Sequence, residues 1–512
     1  MGRSISNDFK AIIMSSSQQI KVGALMSYLA LGINILTGLI YTPWMIGTIG
    51  RENYGLFTLA MSVISLFVFD FGLSSAVSRF LSKYLAEGRI DKANNCLSLV
   101  VKLYLIIDIL FFIVLSSIYF FIPEIYSELT PDEIEKFKVV YLVAAVFSVV
   151  SFPFIPLNGI LTANEQFISL KVCDVLQKLL IVVAMTLCLI MGGGLYALVI
   201  VNALAGVITI IMKLWCIKRY TRTKLNYQYK DKEQLIEIAS FSGWTTVVSL
   251  CQRMVFTIAP TILGMVSGST AIAIFGIATA IESYIYYFAN ALNGLFLPRV
   301  AQLVSRDEDV MPLMKRIGKI QLIIVGAVVV GFICLGNNFI HLWVGDGFKD
   351  SFLCAVLVIV PSLFYLPQEI GIQTILVKNE VKYQAIVWSI MAMLSLVLSF
   401  FLGKLWGAIG VSIAICIAYF IRTLGMDLIL SKRLKLDVVD FFKSTYIKMM
   451  LLFIVIIALS LSINMLINNT SIAWFVVKSC FFVFLYLLGV FTVLKEPERL
   501  EMYKSLKSMF HK

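Results

Sequence analysis

The sequence is poor in what a soluble enzyme uses. Of its 512 residues only 14% are charged, and two, His341 and His511, are histidine. So few imidazoles argue against a histidine-based metal centre. Nine cysteines stand singly in or beside apolar runs, with no C-x-x-C. That is the usage of small buried hydrophobes rather than of disulfides or zinc ligands. There is no Walker A loop, no glycine-rich dinucleotide fingerprint and no soluble stretch long enough for an ATPase domain. No metal, cofactor or catalytic residue is therefore expected, and any transport must draw on a gradient or on a separate chain. Met1 to Ile20 is polar and lacks the apolar core of a cleavable signal.

What is present is apolar. Hydrophobic residues make up 60% of the chain and the mean hydropathy is +0.93. A water-soluble fold cannot hide that much apolar surface, and long continuous runs rather than short alternating ones exclude a membrane β-barrel. The expectation is an all-α integral membrane protein. Apolar runs place about fourteen spans at 20–47, 54–77, 98–122, 138–160, 172–192, 195–217, 241–266, 271–297, 318–340, 351–377, 383–403, 406–429, 445–468 and 472–494.

The net charge of +12 is not a nucleic-acid footprint, because the basic residues form short juxtamembrane clusters. With the N-terminus inside, 33 of the 42 Lys and Arg fall in cytosolic segments, 5 on the opposite side and 4 within spans. This asymmetry places both termini in the cytosol and supports an even number of spans.

The first six spans recur in the next six. Ile160-Leu161-Thr162-Ala163-Asn164-Glu165 matches Ile375-Leu376-Val377-Lys378-Asn379-Glu380, and each follows a pair of prolines (Pro153 and Pro156; Pro361 and Pro367). Pro43 pairs with Pro260, Ser78-Arg79 with Pro298-Arg299, and Gly194 with Gly407, at offsets of roughly 215. Six spans per copy make these parallel repeats. The expected organisation is an N-terminal six-helix bundle over 1–217, a cytosolic linker over 218–240, a second bundle over 241–430, and helices 13 and 14 with a tail over 431–512.

Charged residues inside spans are costly and usually face a bundle interior or a wet cavity. Arg253 and Glu282 lie near the middles of the seventh and eighth spans; a helix-locking Arg–Glu pair is the structural alternative. Asp108 is isolated but for Lys102 and Tyr104, and Arg422 lies deep in the twelfth span. Lys102 and Lys478 are near enough to span ends to snorkel.

The run Gly50-Arg51-Glu52-Asn53-Tyr54-Gly55-Leu56-Phe57, then Asp70-Phe71-Gly72 and Arg79, Asn158-Gly159 to Glu165, and Leu297-Pro298-Arg299 to Ser305 resemble the polysaccharide-unit (O-antigen/capsular, Wzx-type) flippases of the multidrug/oligosaccharidyl-lipid/polysaccharide (MOP) exporter superfamily. The motifs are loose, and the weight lies in their combination with the six-plus-six-plus-two layout. The resemblance implies translocation of undecaprenyl-diphosphate-linked oligosaccharide units across the bacterial inner membrane by alternating access. It also implies antiport of H+ or Na+, contact with membrane lipid and with other polysaccharide-assembly membrane proteins, and no enzymatic activity.

On that reading Arg253 is the leading headgroup contact, since a guanidinium forks onto phosphate oxygens. Arg79 and Arg299 would gather the diphosphate at the cytosolic entrance or simply anchor their helices, and Arg422 is a further substrate candidate. Glu282, Asp108 and Asp70 are the ion-coupling carboxylates, with a helix bend as the rival role for Asp70. A drug/cation antiporter of the same fold and a peptidoglycan-precursor flippase are alternatives. A membrane-embedded polysaccharide polymerase is another, but its large external loop is not present in this sequence.

Overall fold

The computed structural model describes residues 37–69, 73–221, 231–293, 296–467 and 470–494, together with Gly32, Ile35 and Tyr229. Asp70 falls outside the described residues. All regular structure among the described residues is helical. In order these are α1 (37–49), α2 (Arg51–Phe67), α3 (Leu73–Ala86), α4 (Ile90–Phe120), α5 (Pro131–Ser151), α6 (Leu157–Ala163), α7 (Phe167–Ile190), α8 (Leu195–Tyr220), α9 (Lys232–Val266) and α10 (Gly268–Asn293). They continue as α11 (Leu297–Ser305), α12 (Met311–Val344), α13 (Asp350–Ile359), α14 (Glu369–Val377), α15 (Val381–Lys432), α16 (Val438–Thr445), α17 (Ile447–Leu466) and α18 (Ile472–Val493).

Among the described residues eleven stretches are long and apolar enough to cross a membrane. One of them, α15, is two spans: Trp406 (φ −131°, ψ 16°) and Gly407 (φ 57°, ψ −133°) leave the helical region. Gly407 is required there because a Cβ at positive φ is strained. Of the expected first span, 20–47, the described residues hold only the last part, in α1, and the expected second span, 54–77, falls across α2 and α3. The outer faces carry residues such as Ile106, Leu110, Phe484 and Leu487, each more than half exposed, as lipid-facing surfaces require.

The chain divides into two compact units, 1–273 and 274–512, the division falling inside α10. Left-handed residues end or begin helices at Gly50, Gly88, Glu165, Gly192 and Gly268 in the first unit and at Asp307, Gly345, Asn379, Gly407 and Lys435 in the second. The hydrogen bonds refine the register. Gln166 N–H reaches Leu161 O at 2.9 Å, and Glu380 N–H reaches Ile375 O at 2.9 Å. The left-handed caps are thus Glu165 and Asn379, 214 residues apart, whereas the letters of the two motifs align at 215. The second copy puts the favoured asparagine at the cap; the first tolerates a glutamate there.

Prolines give both fourth spans their shape. In the first copy α5 ends at a 3-10 turn, Phe152–Phe154, before α6; in the second, a 3-10 turn at Leu366–Gln368 precedes α14. Pro367 has no N–H to give the carbonyl four residues back, that of Leu363. The Tyr446 hydroxyl supplies the missing donor, at 3.0 Å from Leu363 O and 3.2 Å from Phe364 O. Tyr446→Phe leaves these buried carbonyls without that donor and is expected to cost about 1–3 kcal/mol, read as a lowered melting temperature of the purified protein at unchanged mass.

The outer segment around 131–135, which lies between the expected spans 98–122 and 138–160, is the first turn of α5. Thr130 and Glu133 form a capping box, Thr130 N–H to Glu133 Oε2 at 2.8 Å and Glu133 N–H to Thr130 Oγ1 at 3.3 Å. Glu133 is buried and also accepts a hydrogen bond from the Ser269 hydroxyl at the start of α10. Beside it Gly55 comes so close to Ser269 that a Cβ would stand 2.1 Å from its carbonyl oxygen.

Helices α17 and α18, outside the repeat, pack on α12. Asn464 donates to Cys334 O at 2.7 Å and Tyr486 to Ile323 O at 2.6 Å. Lys478, expected to snorkel, is instead buried at 5% exposure in α18. It shares the packed face of α18 with Phe482 and Tyr486, one and two turns further along.

Candidate functional site

In the first unit Arg253 stands on α9 with its side chain exposed. It lies seven residues past Thr246, where the apolar stretch begins, roughly 10 Å along the helix. Its Nε donates to Ser65 O at 2.9 Å, and its guanidinium carbon sits 5.4 Å from the Phe69 ring centroid. Ser65 is in the last turn of α2, where carbonyls have no intrahelical donor and the helix dipole favours a cation. The sequence breaks there because Val68 and Phe69 leave the helix before Asp70. Arg253 therefore ties α9 to the broken end of α2 while keeping its charge accessible.

A second cationic group in this unit was not anticipated. Lys213 on α8 donates to Asn158 Oδ1 and to Asp174 Oδ1, each at 3.0 Å. Lys171 lies 4.0 Å from Asp174, and Lys178, one turn further along α7, is within electrostatic range of it. Three lysines thus share one carboxylate. The signal was legible as Lys171, Asp174 and Lys178 at helical spacing, but these had been read as ordinary cytosolic charge.

Asp108 is on α4, half-buried, and its Oδ1 has no hydrogen-bond partner among the described residues. It does not pair with Lys102, whose ammonium instead donates to Tyr229 O at 2.7 Å, pinning the linker to α4. Tyr104 is fully buried against Phe152. Arg79 on α3 and Arg299 on α11 are both exposed, and Arg299 reaches Gln302 Oε1 at 3.5 Å.

The second unit holds a denser polar group. Arg422 on α15 is 2% exposed, with its guanidinium carbon 4.5 Å from the Trp388 ring and 4.9 Å from the Tyr365 ring. Tyr419, Tyr365, Glu369 and Tyr286 surround its charge, and Asp427, beside Gln368, lies within its range. Arg422 Nε, Trp388 Nε1, Gln368 Nε2 and Asp427 Oδ1 are buried atoms with no hydrogen-bond partner among the described residues. Glu282 on α10 is half-buried and within electrostatic range of Tyr365 and Tyr419.

The structure thus brings Glu282 and Arg422 into one neighbourhood of the second unit, which sequence reasoning had treated separately. It adds Glu369 and Asp427, which that reasoning missed. Both are acids inside apolar runs, and Glu369 directly follows the Pro367 break, so a fuller count of intramembrane charges would have found them. Among the described residues no three His, Cys, Asp or Glu side chains converge as metal ligands.

A family model described as "Polysaccharide biosynthesis protein" matches residues 20–304. A candidate O-antigen transporter of Escherichia coli (strain K12) is 22% identical over 405 residues, covering 76% of this chain and 91% of that protein. Among solved structures, the lipid II flippase MurJ in an inward closed conformation aligns with a TM-score of 0.69 at 16% identity, over 92% of this chain and 98% of its own. An inward-facing multidrug resistance MATE family transporter of the MOP superfamily aligns with a TM-score of 0.59 at 16% identity, over 83% and 100%. These structural likenesses show the fold.

Proposed function

The chain belongs to the polysaccharide biosynthesis protein family, as a multi-pass inner-membrane transporter rather than an enzyme, and from that premise we propose that it flips undecaprenyl-diphosphate-linked oligosaccharide units, for O-antigen or capsule assembly, by alternating access. The observation that carries this reading is Arg253, an exposed guanidinium held at intramembrane depth.

A diphosphate headgroup cannot cross about 30 Å of hydrocarbon unless polar groups replace its hydration. A flippase must therefore offer the headgroup a cationic, wet path while its prenyl tail remains in lipid. Arg253 supplies a forked donor part-way across, and its cost in lipid is offset when an anion meets it. Arg79, exposed midway along α3, and Arg299, exposed in the first turn of α11, would concentrate the diphosphate at the cytosolic side. Arg422, buried in this conformation and within electrostatic range of Glu369 and Asp427, would meet a ligand only in one that uncovers it. Alternating access asks each half to move as a body, and a sequence repeat of six spans supports that reading.

Ion coupling would fall to Glu282 and Asp108, with Asp70 a third candidate. Their separation on different helices suits a proton better than Na+, which takes several oxygens at once. Glu282→Gln and Asp108→Asn are each tested in proteoliposomes across pH 5.5–8 (about the range in which a coupling carboxylate must exchange its proton). The responsible variant is expected to flatten the pH dependence of transport; unchanged profiles for both would assign coupling elsewhere.

The whole reading is tested by complementation. Expression in a strain lacking its own O-unit flippase should restore surface glycan. Restoration of growth in a strain lacking its lipid II flippase, without surface glycan, would favour the peptidoglycan-precursor alternative.

A further inference from the structure

In the second unit a groove of about 690 Å³ opens where the cytosolic end of α15 meets α16 and the start of α17. Phe364, Phe420, Phe442 and Tyr446 form an aromatic wall, with Asp427 among its lining residues and Lys443 at its rim. Leu424, Val439 and Ile447 stand around the opening at 64%, 63% and 55% exposure, so the groove faces lipid. Helix α16 is amphipathic. It buries Val438, Phe441 and Thr445 and exposes Asp440, Lys443 and Ser444, the pattern of a helix lying in the membrane interface.

Charge in the segment around the opening is net positive, although Asp427 lies among the lining residues. Between 432 and 448 the chain carries Lys432, Arg433, Lys435, Lys443 and Lys448 against Asp437 and Asp440. Both acids are occupied: Asp437 caps α16 by accepting the Asp440 N–H, and the Asp440 carboxylate is held by Lys315 of α12. Arg433 lies over the Tyr383 ring, 4.2 Å away. Lys443 lines the groove and is exposed, and the exposed Lys448 follows on the first turn of α17. A basic cluster beside an apolar groove at the cytosolic surface is complementary to an anionic lipid. Along α15 the groove runs from Phe420 to Asp427, about 10 Å at 1.5 Å per residue, or a third of the hydrocarbon core. That depth suits the upper part of an acyl chain and is far too short for a long prenyl tail.

We propose that this groove binds an anionic phospholipid of the inner leaflet, its phosphate at Lys443 and Lys448 and one acyl chain against the aromatic wall. The bound lipid braces Tyr446 and, through its hydrogen bonds to Leu363 and Phe364, the proline break that carries Glu369 toward Arg422. The site is independent of which substrate the protein flips.

The test uses the purified full-length protein, with native mass spectrometry and melting temperature as readouts. The probes are phosphatidylglycerol, phosphatidylethanolamine and undecaprenyl phosphate. Phosphatidylglycerol is expected to be retained and to raise the melting temperature, with phosphatidylethanolamine doing neither. The double variant K443Q/K448Q should bind phosphatidylglycerol roughly thirtyfold more weakly, about fivefold for each lysine near an anionic surface. Leu424→Trp, which fills the opening without touching the charges, should also displace it. Equal retention of phosphatidylethanolamine, or unaltered phosphatidylglycerol binding in both variants, overturns the proposal. So does displacement of phosphatidylglycerol by undecaprenyl phosphate at equal concentration, which would make the groove part of the substrate path.

Discussion

Replacing Arg253 by alanine is expected to abolish surface glycan while folded, membrane-inserted protein stays at wild-type amounts. The guanidinium does two things. Its Nε closes the last turn of α2 at Ser65, and its charge stands exposed within a span, where a cation costs about 2.5–3.5 kcal/mol. Losing the contact to a diphosphate removes about 2–5 kcal/mol of transition-state binding, hence at least a thirtyfold fall in transport at roughly 1.4 kcal/mol per tenfold.

The two roles separate by substitution. Arg253→Gln keeps a donor for Ser65 and loses the charge, so it should fold normally and fail to transport. Arg253→Lys keeps the charge but not the planar fork, so it should rescue only in part. Surface glycan is read by gel and normalised to protein in membrane fractions. Normal glycan from the alanine variant would take Arg253 out of the mechanism.

Much of the frame was legible because lipid leaves few solutions: long apolar runs must be helices, and basic loops must stay inside. The repeat was legible because its landmarks are backbone events. Gly407 and the proline pairs mark places where the chain leaves the helix, and such places punctuate sequence visibly. The one-residue slip between the motifs was hidden, since only hydrogen bonds show whether the cap is Asn164 or Glu165. The start of α5 was missed because a Thr-Pro-Asp-Glu run reads as a loop until its capping box is recognised.

The site was harder to see. Arg253 and Glu282 stood out as single charges in long runs. Glu369 and Asp427 sit in runs already interrupted by proline or followed by basic residues, so their burial around Arg422 depends on packing that sequence spacing does not report. Lys213 reaches Asp174 from another helix, which no local pattern encodes.

Arg422→Ala is expected to be the most destabilising single change in the second unit. Arg422 is a buried cation within electrostatic range of Glu369 and Asp427, and it lies over the Trp388 and Tyr365 rings. Removing one partner from a buried charge group leaves the others uncompensated and costs about 3–5 kcal/mol; the lost ring contacts add about 0.5–2 kcal/mol each. The variant should therefore be depleted from the membrane and aggregate on solubilisation. If uncompensated charge is the cause, adding Glu369→Gln and Asp427→Asn to the alanine variant should recover most of the folded yield, because no ionised group then remains without its partner. Arg422→Lys keeps the charge and weakens the stacking, so it should fall between. Fluorescence-detected size exclusion ranks all four proteins. A well-folded Arg422→Ala protein that simply fails to transport would place this arginine on the substrate path instead. Failure of the carboxylate changes to restore folding would assign its role to the Trp388 and Tyr365 ring contacts rather than to its charge.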